Sequence, residues 1–196
     1  MTNPDASGQL IFIISGPSGA GKSTLLKSLP KEVKDLEVVL PITSRPLRKG
    51  EVKGVDSLFV SMEEFERMID AGELLEWSKV YGTNYYGTPW SSLRAIDLIN
   101  DILIELDILG KDRFISHFPN AITIFIMPPS IEETIRRVRE RHDVPENEIQ
   151  DRVNTAIDQV MHATEYKYTI VNNDIEETLN RMKEIIQAER YLTRSR

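Results

Sequence analysis

The feature that most constrains this chain is a glycine-rich segment at residues 16–24, which reads GPSGAGKST. It matches the phosphate-loop pattern G-x-x-x-x-G-K-[ST], whose backbone N–H groups and lysine surround the phosphates of a bound nucleotide. A short apolar run at residues 10–14 precedes the segment, and a helical pattern that ends near Pro30 follows it. A buried strand, a phosphate loop and a helix in this order predict a P-loop nucleotide-binding fold.

The residue types in the loop indicate how it would bind ATP. Glycines let the backbone turn with positive φ and approach the phosphate oxygens, while the following helix directs free N–H groups at them. The Lys22 ammonium would reach the β- and γ-phosphates, and the Ser23 hydroxyl would bind Mg²⁺. The alternative is a glycine-rich turn that binds nothing. The predicted ATP-binding residues are Gly16, Pro17, Ser18, Gly19, Ala20, Gly21, Lys22, Ser23 and Thr24.

Composition limits where the protein acts and what it binds. With 196 residues we expect one domain, and because the chain has no cysteine it forms no disulfide or zinc–thiolate site. No signal peptide or membrane-spanning run is recognisable, so we expect a cytoplasmic protein without membrane contact. We expect this protein to be a monomer or a homodimer. The net charge of −7 argues against broad nucleic-acid binding. Basic clusters at residues 45–53 and 136–141 suit a small anionic ligand instead.

Strand and helix patterns alternate along the rest of the chain, which predicts an α/β fold with a mainly parallel sheet. Ligands of such sheets bind at the carboxyl ends of the strands. We predict strands at residues 37–40, 59–60, 74–80, 102–107, 121–127 and 168–171, helices at 62–71, 89–98, 130–141, 148–163 and 175–192, and an aromatic-rich turn at 81–87.

Two polar segments are candidates for an acceptor site. In the loop TSRPLRKGEV, Arg45 and Arg48 could grip a phosphate with their forked guanidinium groups, and Glu51 could orient one of them. Further along, a buried carboxylate at Glu76 would accept hydrogen bonds from guanine and so select it over adenine. The tyrosines of the segment NYYGT at residues 84–88 could hold a phosphate or stack on a base. A solvated basic loop, a surface glutamate and packed tyrosines are the alternatives.

Acidic residues end the apolar run at residues 102–107, and arginines crowd a later segment. An acidic residue at a neighbouring strand end holds Mg²⁺ through water in P-loop enzymes, and we assign this role to Asp107. The arginines could close over the triphosphate; a solvent-facing strand end and a helix paired with glutamates are the alternatives. We expect no catalytic role for His142 and His162. The arginine series is Arg136, Arg137, Arg139, Arg141 and Arg152.

Taken together, these motifs resemble those of the guanylate kinases, over residues 8 to about 190. The resemblance implies a three-layer α/β/α P-loop core, a GMP-binding insertion at about 40–90 and a mobile lid at about 137–152. It implies that ATP and Mg²⁺ phosphorylate GMP to GDP, with dGMP as a candidate second acceptor. The matching motifs are GPSGAGKST, TSRPLRKGEV, NYYGT, IELD at 104–107, IFIMPPS at 124–130, RRVRER at 136–141 and IVNND at 170–174.

The resemblance also implies a role for each matching residue. Arg45, Arg48 and Tyr86 would hold the GMP phosphate, Glu76 and Thr88 would bind guanine, and Glu51, Glu105 and Asp107 would complete the acceptor site. Lys22 and Arg45 would take part in catalysis together with the lid residues Arg137, Arg141 and Arg152, which would contact the ATP phosphates. Asn172 would lie near the adenine.

Five positions depart from the family pattern, and they lead us to expect a weakened or altered acceptor site. A serine that contacts guanine is replaced by Pro41, a tyrosine that contacts the GMP phosphate by Ser57, and a strand-end aspartate by Glu105. One residue near Thr83 is inserted, and His142 replaces a lid glycine. Two alternative functions remain open: a kinase for another phosphorylated acceptor, and a non-catalytic protein-binding module, whose members share a proline at the position of Pro41.

Overall fold

A five-stranded sheet and a four-stranded sheet organise the protein. The computed structural model describes residues 8–48, 50–80, 84–140 and 146–194. Its strands are β1 (Ile11–Ser15), β2 (Leu36–Val38), β3 (Ile42–Thr43), β4 (Leu58–Phe59), β5 (Leu74–Val80), β6 (Asn84–Pro89), β7 (Asp101–Glu105), β8 (Ile122–Met127) and β9 (Tyr168–Val171). Its helices are α1 (Lys22–Glu32), α2 (Met62–Asp70), α3 (Trp90–Arg94), α4 (Ile108–His117), α5 (Ile131–Arg139), α6 (Glu146–Met161) and α7 (Ile175–Arg194), and a 3₁₀ turn covers Ala163–Glu165.

The larger sheet is parallel throughout and has the order β2-β7-β1-β8-β9. Alternation along β1 places Phe12 and Ile14 in a core with α1 and α7, and Ile11 and Ile13 in a second core with α3 and α4. Helices therefore cover both faces, and the predicted three-layer α/β/α architecture is confirmed. The phosphate-loop segment leaves the carboxyl end of β1, the central strand, where ligands of such sheets gather.

The smaller sheet is made from residues 42–89 and has the order β4-β3-β6-β5. Its β3–β4 pair is parallel, whereas β6 runs antiparallel to both β3 and β5. The prediction of a turn over residues 81–87 is wrong for residues 84–87, because pairing on both sides makes them a strand; residues 81–83 lie outside the described part of the chain. Polar and glycine residues obscured this strand, since it is stabilised by pairing with the adjacent β5 and the distant β3 rather than by its own propensity.

One helix prediction needs correction, and one helix was not predicted. The helix expected at 89–98 ends at Arg94. The side-chain amide of Gln9 donates to the carbonyls of Asp97 and Asn100, which holds residues 97–100 close to the start of β1. The helix α4 was not predicted, although Asp107 caps it by accepting a hydrogen bond from the Gly110 N–H at 2.7 Å. Ser61 caps α2 and Ser130 caps α5, because each hydroxyl accepts a hydrogen bond from the N–H three residues further on.

Candidate active site

The loop after β1 has the backbone that its glycines predict. Gly16, Gly19 and Gly21 have φ angles of 148°, 83° and 91°. A Cβ atom on Gly16 would lie 2.2 Å from the carbonyl oxygen of Ile126, which is fixed in the neighbouring strand β8. Residues with side chains therefore cannot replace these glycines without moving the loop. The turn closes with hydrogen bonds from the Ala20 N–H to the Pro17 carbonyl and from the Thr24 N–H to the Gly21 carbonyl.

Lys22, the first residue of α1, turns its side chain back into the loop. Its ammonium nitrogen donates to the carbonyls of Gly16 at 2.7 Å and Pro17 at 3.0 Å, and lies 3.5 Å from a carboxylate oxygen of Glu105. Ser23 and Thr24 follow in the first helical turn and are exposed. The helix N-terminus, a lysine ammonium and the Ser23 hydroxyl thus meet at the carboxyl end of β1, as binding of a triphosphate requires.

Asn172, the residue assigned to a contact near the adenine, lies directly against the phosphate loop. Its side chain is only 4% exposed and supports the phosphate loop from behind. The side-chain amide donates to the Ala20 carbonyl at 2.7 Å, and its oxygen accepts from the Thr178 hydroxyl at 2.9 Å. A Cβ atom on Gly21 would lie 2.4 Å from the Asn172 amide nitrogen, so the loop and the asparagine fit together closely.

Replacement of Asn172 by alanine tests which contact matters. We expect a loss of about 1–3 kcal/mol in the free energy of unfolding, because the Ala20 carbonyl and the Thr178 hydroxyl lose a buried partner. We also expect a higher KM for ATP with an unchanged preference for ATP over GTP. Thermal unfolding and donor kinetics measure these effects, and the exposed neighbour Asn173→Ala is the control. A changed ATP/GTP preference at unchanged stability would favour the adenine contact instead.

Of the predicted lid arginines, Arg137 reaches the phosphate loop. It donates to the Gly19 carbonyl at 3.1 Å and to the Glu133 carboxylate at 2.6 Å. Arg136 instead forms surface ion pairs with Glu133 and Glu140, the alternative considered for this series. Arg139, in the last turn of α5, is exposed. Arg141 and His142 lie outside the described residues, and the side chain of Arg152 is not described.

The arginine loop is built around an ion pair in the smaller sheet. Both terminal nitrogens of Arg45 donate to the Glu51 carboxylate, at 2.6 and 2.7 Å, and the same carboxylate accepts from the Arg48 N–H at 2.9 Å. The hydrogen bond from Arg45 lowers the pKa of the Glu51 carboxyl below its usual value. The Tyr86 hydroxyl interacts with Arg45, whose guanidinium carbon lies 5.2 Å from the centre of the Phe59 ring. The loop thus presents an ordered cation rather than a freely solvated one.

Glu76 is buried, in contrast to the alternative of a surface glutamate. It is 4% exposed and accepts a hydrogen bond from the Thr88 hydroxyl at 2.6 Å. Burial raises the pKa of Glu76 to about 7, and the nearby Asp107 carboxylate acts in the same direction against the Thr88 hydrogen bond. Sequence reasoning missed Gly110, where a Cβ atom would lie 2.8 Å from a Glu76 carboxylate oxygen. A small residue there leaves room for the buried carboxylate.

Asp107 connects the two sheets rather than facing solvent. One carboxylate oxygen accepts from the Gly110 N–H at 2.7 Å, and the other accepts from the Ser78 hydroxyl at 2.5 Å. Ser78 was not predicted, although it lies two residues after Glu76 and therefore on the same face of β5. Glu105 contacts Lys22 on the phosphate-loop side, so residues 105–107 join the loop to the smaller sheet.

Two of the departures from the family pattern also lie in the smaller sheet. The Pro41 carbonyl accepts from the Leu58 N–H at 2.8 Å, which aligns the start of β3 with β4. Ser57 is 7% exposed, and its hydroxyl donates to the Asp56 carbonyl at 2.7 Å. That hydroxyl is therefore used within its own turn.

Within the described residues, neither a cluster of metal ligands nor a membrane-spanning helix is present. No group of three or more His, Cys, Asp or Glu side chains there could hold a metal ion. None of the helices in that part of the chain has the length and hydropathy needed to cross a membrane.

Comparison with known proteins gives consistent matches along most of the chain. A family model described as guanylate kinase matches residues 9–189. A guanylate kinase of Caldanaerobacter subterraneus is 41% identical over 182 residues, which are 92% of this chain and 88% of that protein. One of Haemophilus influenzae is 41% identical over 186 residues, with 92% and 88% coverage. The crystal structure of guanylate kinase from Anaplasma phagocytophilum superposes with a TM-score of 0.74 at 34% identity, covering 93% of this chain and 86% of that one.

Proposed function

The chain belongs to the guanylate kinase family, and we propose how its residues share the reaction of that family, transfer of the γ-phosphoryl group from ATP to GMP. The observation that supports this most directly is the buried Glu76–Thr88 pair, which lies in the same small sheet as the Arg45–Glu51 pair. Residues 105–107 connect this sheet to the phosphate loop. A base-binding carboxylate, a phosphate-binding cation and a donor loop are the parts that the reaction needs.

On the donor side, the loop N–H groups and the N-terminus of α1 would hold the ATP phosphates. Lys22 would leave the carbonyls of Gly16 and Pro17 and neutralise charge on the β- and γ-phosphates. Asn172 would keep the loop in shape from behind through its bond to Ala20. Arg137, already at the Gly19 carbonyl, would contact the phosphates together with Arg141 and Arg152 and exclude water.

The donor set at the loop fits Mg²⁺. Ser23 supplies a hydroxyl, and Asp107 supplies carboxylate oxygens that already accept two protein hydrogen bonds. Mg²⁺ keeps several waters and takes one or two protein ligands beside substrate phosphates, which agrees with direct binding by Ser23 and a contact through water to Asp107. When bound, it would neutralise charge on the transferred group.

On the acceptor side, Arg45 would bind the GMP phosphate with Arg48 and Tyr86, while Glu51 keeps the Arg45 fork oriented. Glu76 would accept hydrogen bonds from the guanine N–H groups, and the Thr88 hydroxyl would complete the base site. Asp107 would hold β5 in place through Ser78. Because Ser57 uses its hydroxyl locally, the GMP phosphate would rely mainly on the arginines and Tyr86.

A panel of acceptors tests this function. ADP release is measured with GMP, dGMP, AMP, UMP, CMP and sugar phosphates at fixed ATP and Mg²⁺. We expect GMP to stimulate turnover far more than AMP, because adenine offers no N–H pattern that the Glu76 carboxylate accepts. Equal stimulation by GMP and AMP would contradict the proposal, and a preference for a sugar phosphate would favour another acceptor class.

Replacement of Arg45 by alanine should separate acceptor from donor binding. We expect kcat/KM for GMP to fall about 50-fold, because a phosphate loses a charge-assisted donor and Glu51 loses its partner. The KM for ATP should change less than two-fold. Arg67→Ala, which removes an exposed arginine of α2 paired with Glu64 and Glu73, is the control. Equal losses in ATP and GMP affinity would contradict the assignment.

The cellular setting and the assembly remain predictions. We propose that the protein acts in the cytoplasm, where ATP and GMP are available, and that it is a monomer or a homodimer. Size-exclusion chromatography with light scattering would distinguish the two assembly states.

A further inference from the structure

An ion pair joins the helix of the phosphate loop to the loop that carries the acceptor arginines. The Lys27 ammonium, in α1, lies 2.7 Å from a carboxylate oxygen of Asp56, in the turn before β4. We propose that Lys27 and Asp56 are a positioning pair, which holds the acceptor-phosphate loop at a fixed separation from the phosphate loop during transfer. This rests on the proposed function, since it takes Arg45 as a ligand of the acceptor phosphate.

On the donor side, the pair acts on a rigid element. Lys27 follows Ser23 by four residues in α1 and so lies on the same face of the helix, one turn further along. Leu25 and Leu29 of the same helix are fully buried in the core. Lys27 is therefore part of a firmly packed helix, and the first turn of that helix contains Lys22 and Ser23.

On the acceptor side, short steps lead from Asp56 to Arg45. The second carboxylate oxygen of Asp56 accepts from the Val52 N–H at 2.8 Å, which orders the turn. Val52 directly follows Glu51, whose carboxylate binds both terminal nitrogens of Arg45. The hydrogen bond from Lys27 also lowers the pKa of the Asp56 carboxyl, so the carboxylate is ionised throughout the neutral range.

The position of the pair in the sheet explains why it would matter. Ser78, in the edge strand β5, is tied to Asp107 of the core. Asp56 lies beside β4, the opposite edge strand, and is tied to Lys27. The β5 edge is also held by the Arg113 guanidinium, which donates to the Trp77 carbonyl, and by Leu75, which is buried in the second core. The Lys27–Asp56 pair adds an attachment at the opposite edge, where it would restrain tilting of the sheet against the core. Phosphoryl transfer depends on close alignment of donor and acceptor, so tilt would lower the rate.

Kinetics of three variants test the pair. Asp56→Asn keeps an oxygen that accepts from Val52 but removes the charge, Lys27→Met keeps the aliphatic stem, and the double variant combines them. We expect each single variant to lower kcat/KM for GMP about two- to five-fold, the range typical of partly exposed ion pairs, with an unchanged KM for ATP. The double variant should be no worse than either single one. Multiplicative losses in the double variant would overturn the proposal.

A matched ion pair within the core provides the control. Lys183 lies 2.8 Å from Glu32 and joins α7 to α1 without touching the smaller sheet. Lys183→Met removes a similar contact, so it should leave kcat/KM for GMP unchanged. A loss equal to that of Lys27→Met would assign the effect to general stability and overturn the proposal.

A distance measurement tests the pair without turnover. Spin labels can be attached to single introduced cysteines, because the chain has none of its own. One label is placed at Lys34→Cys, just after α1, and the other at Asp70→Cys in α2; both positions are exposed. We expect the distance distribution to broaden in Asp56→Asn and Lys27→Met but not in Lys183→Met. An unchanged distribution would overturn the positioning role. Failure of the unsubstituted protein to use GMP would instead contradict the proposed function alone.

Discussion

Replacing Lys22 by alanine is expected to lower kcat about 10³-fold or more. One charge placed on the transferred phosphate in a water-excluded site is worth several kcal/mol, and each ~1.4 kcal/mol is a ten-fold change in rate. The Lys22 ammonium also donates to the carbonyls of Gly16 and Pro17. Removing Lys22 therefore also removes two hydrogen bonds that order the phosphate loop. The loss of charge on the transferred phosphate must be distinguished from this loss of loop structure.

Separate measurements of ATP binding and stability distinguish them. If the charge acts mainly on the transferred group, kcat falls far more than ATP affinity, and the midpoint of thermal unfolding changes little. Lys22→Met retains the stem and should behave in the same way. Lys31→Ala, in the last turn of the same helix, is the matched control and should be close to the unsubstituted protein. A Lys22→Ala variant that kept more than a tenth of kcat would contradict the assignment.

Local features of the site were predictable from the sequence because they depend on neighbours in the chain. The positive φ angles of Gly16, Gly19 and Gly21 follow from the need of the loop to turn closely. The Arg45–Glu51 contact spans six residues of one loop, so its residue types and spacing were sufficient to predict it. Such contacts need no knowledge of which strands become neighbours.

Contacts between distant segments were missed for the opposite reason. Ser78 and Asp107 are 29 residues apart, and Asn172 and Ala20 are 152 apart. These pairs meet only because β7 and β9 take particular places in the sheet order, which the hydrophobic pattern of each strand does not specify. The predicted adenine contact of Asn172 came from the family motif, whereas its contact with Ala20 depends on how β9 and α7 approach the loop.

The buried carboxyl of Glu76 leads to a prediction that couples stability to acceptor use. Its pKa is raised to about 7, so above that pH folding must bury a charge. Because the pKa is raised, the folded state keeps a proton at pH values where the unfolded state has lost it. The protonated carboxyl gives its full stability below the usual pKa of 4.5, and this stability is lost as the pH rises through about 7. The ionised carboxylate therefore costs up to about 3 kcal/mol at pH 8 and above.

Glu76→Gln should therefore stabilise the protein at pH 8 while greatly weakening its use of GMP. The amide keeps an oxygen for the Thr88 hydroxyl and carries no charge, so thermal unfolding should occur at a higher temperature than in the unsubstituted protein at pH 8, with a smaller difference at pH 5. The same amide presents N–H groups to the guanine N–H groups, which should lower kcat/KM for GMP about 10³-fold. Glu73→Gln, exposed and paired with Arg67, should do neither.

The pH dependence of the unsubstituted enzyme provides the final check on this role. Only the ionised Glu76 carboxylate accepts from guanine with both oxygens, so kcat/KM for GMP should rise with pH through about 7 and then level off. The KM for ATP should not follow that curve, because the Glu76 carboxyl is not part of the phosphate loop. In Glu76→Gln the rise should disappear, and its persistence would assign the titration to another group.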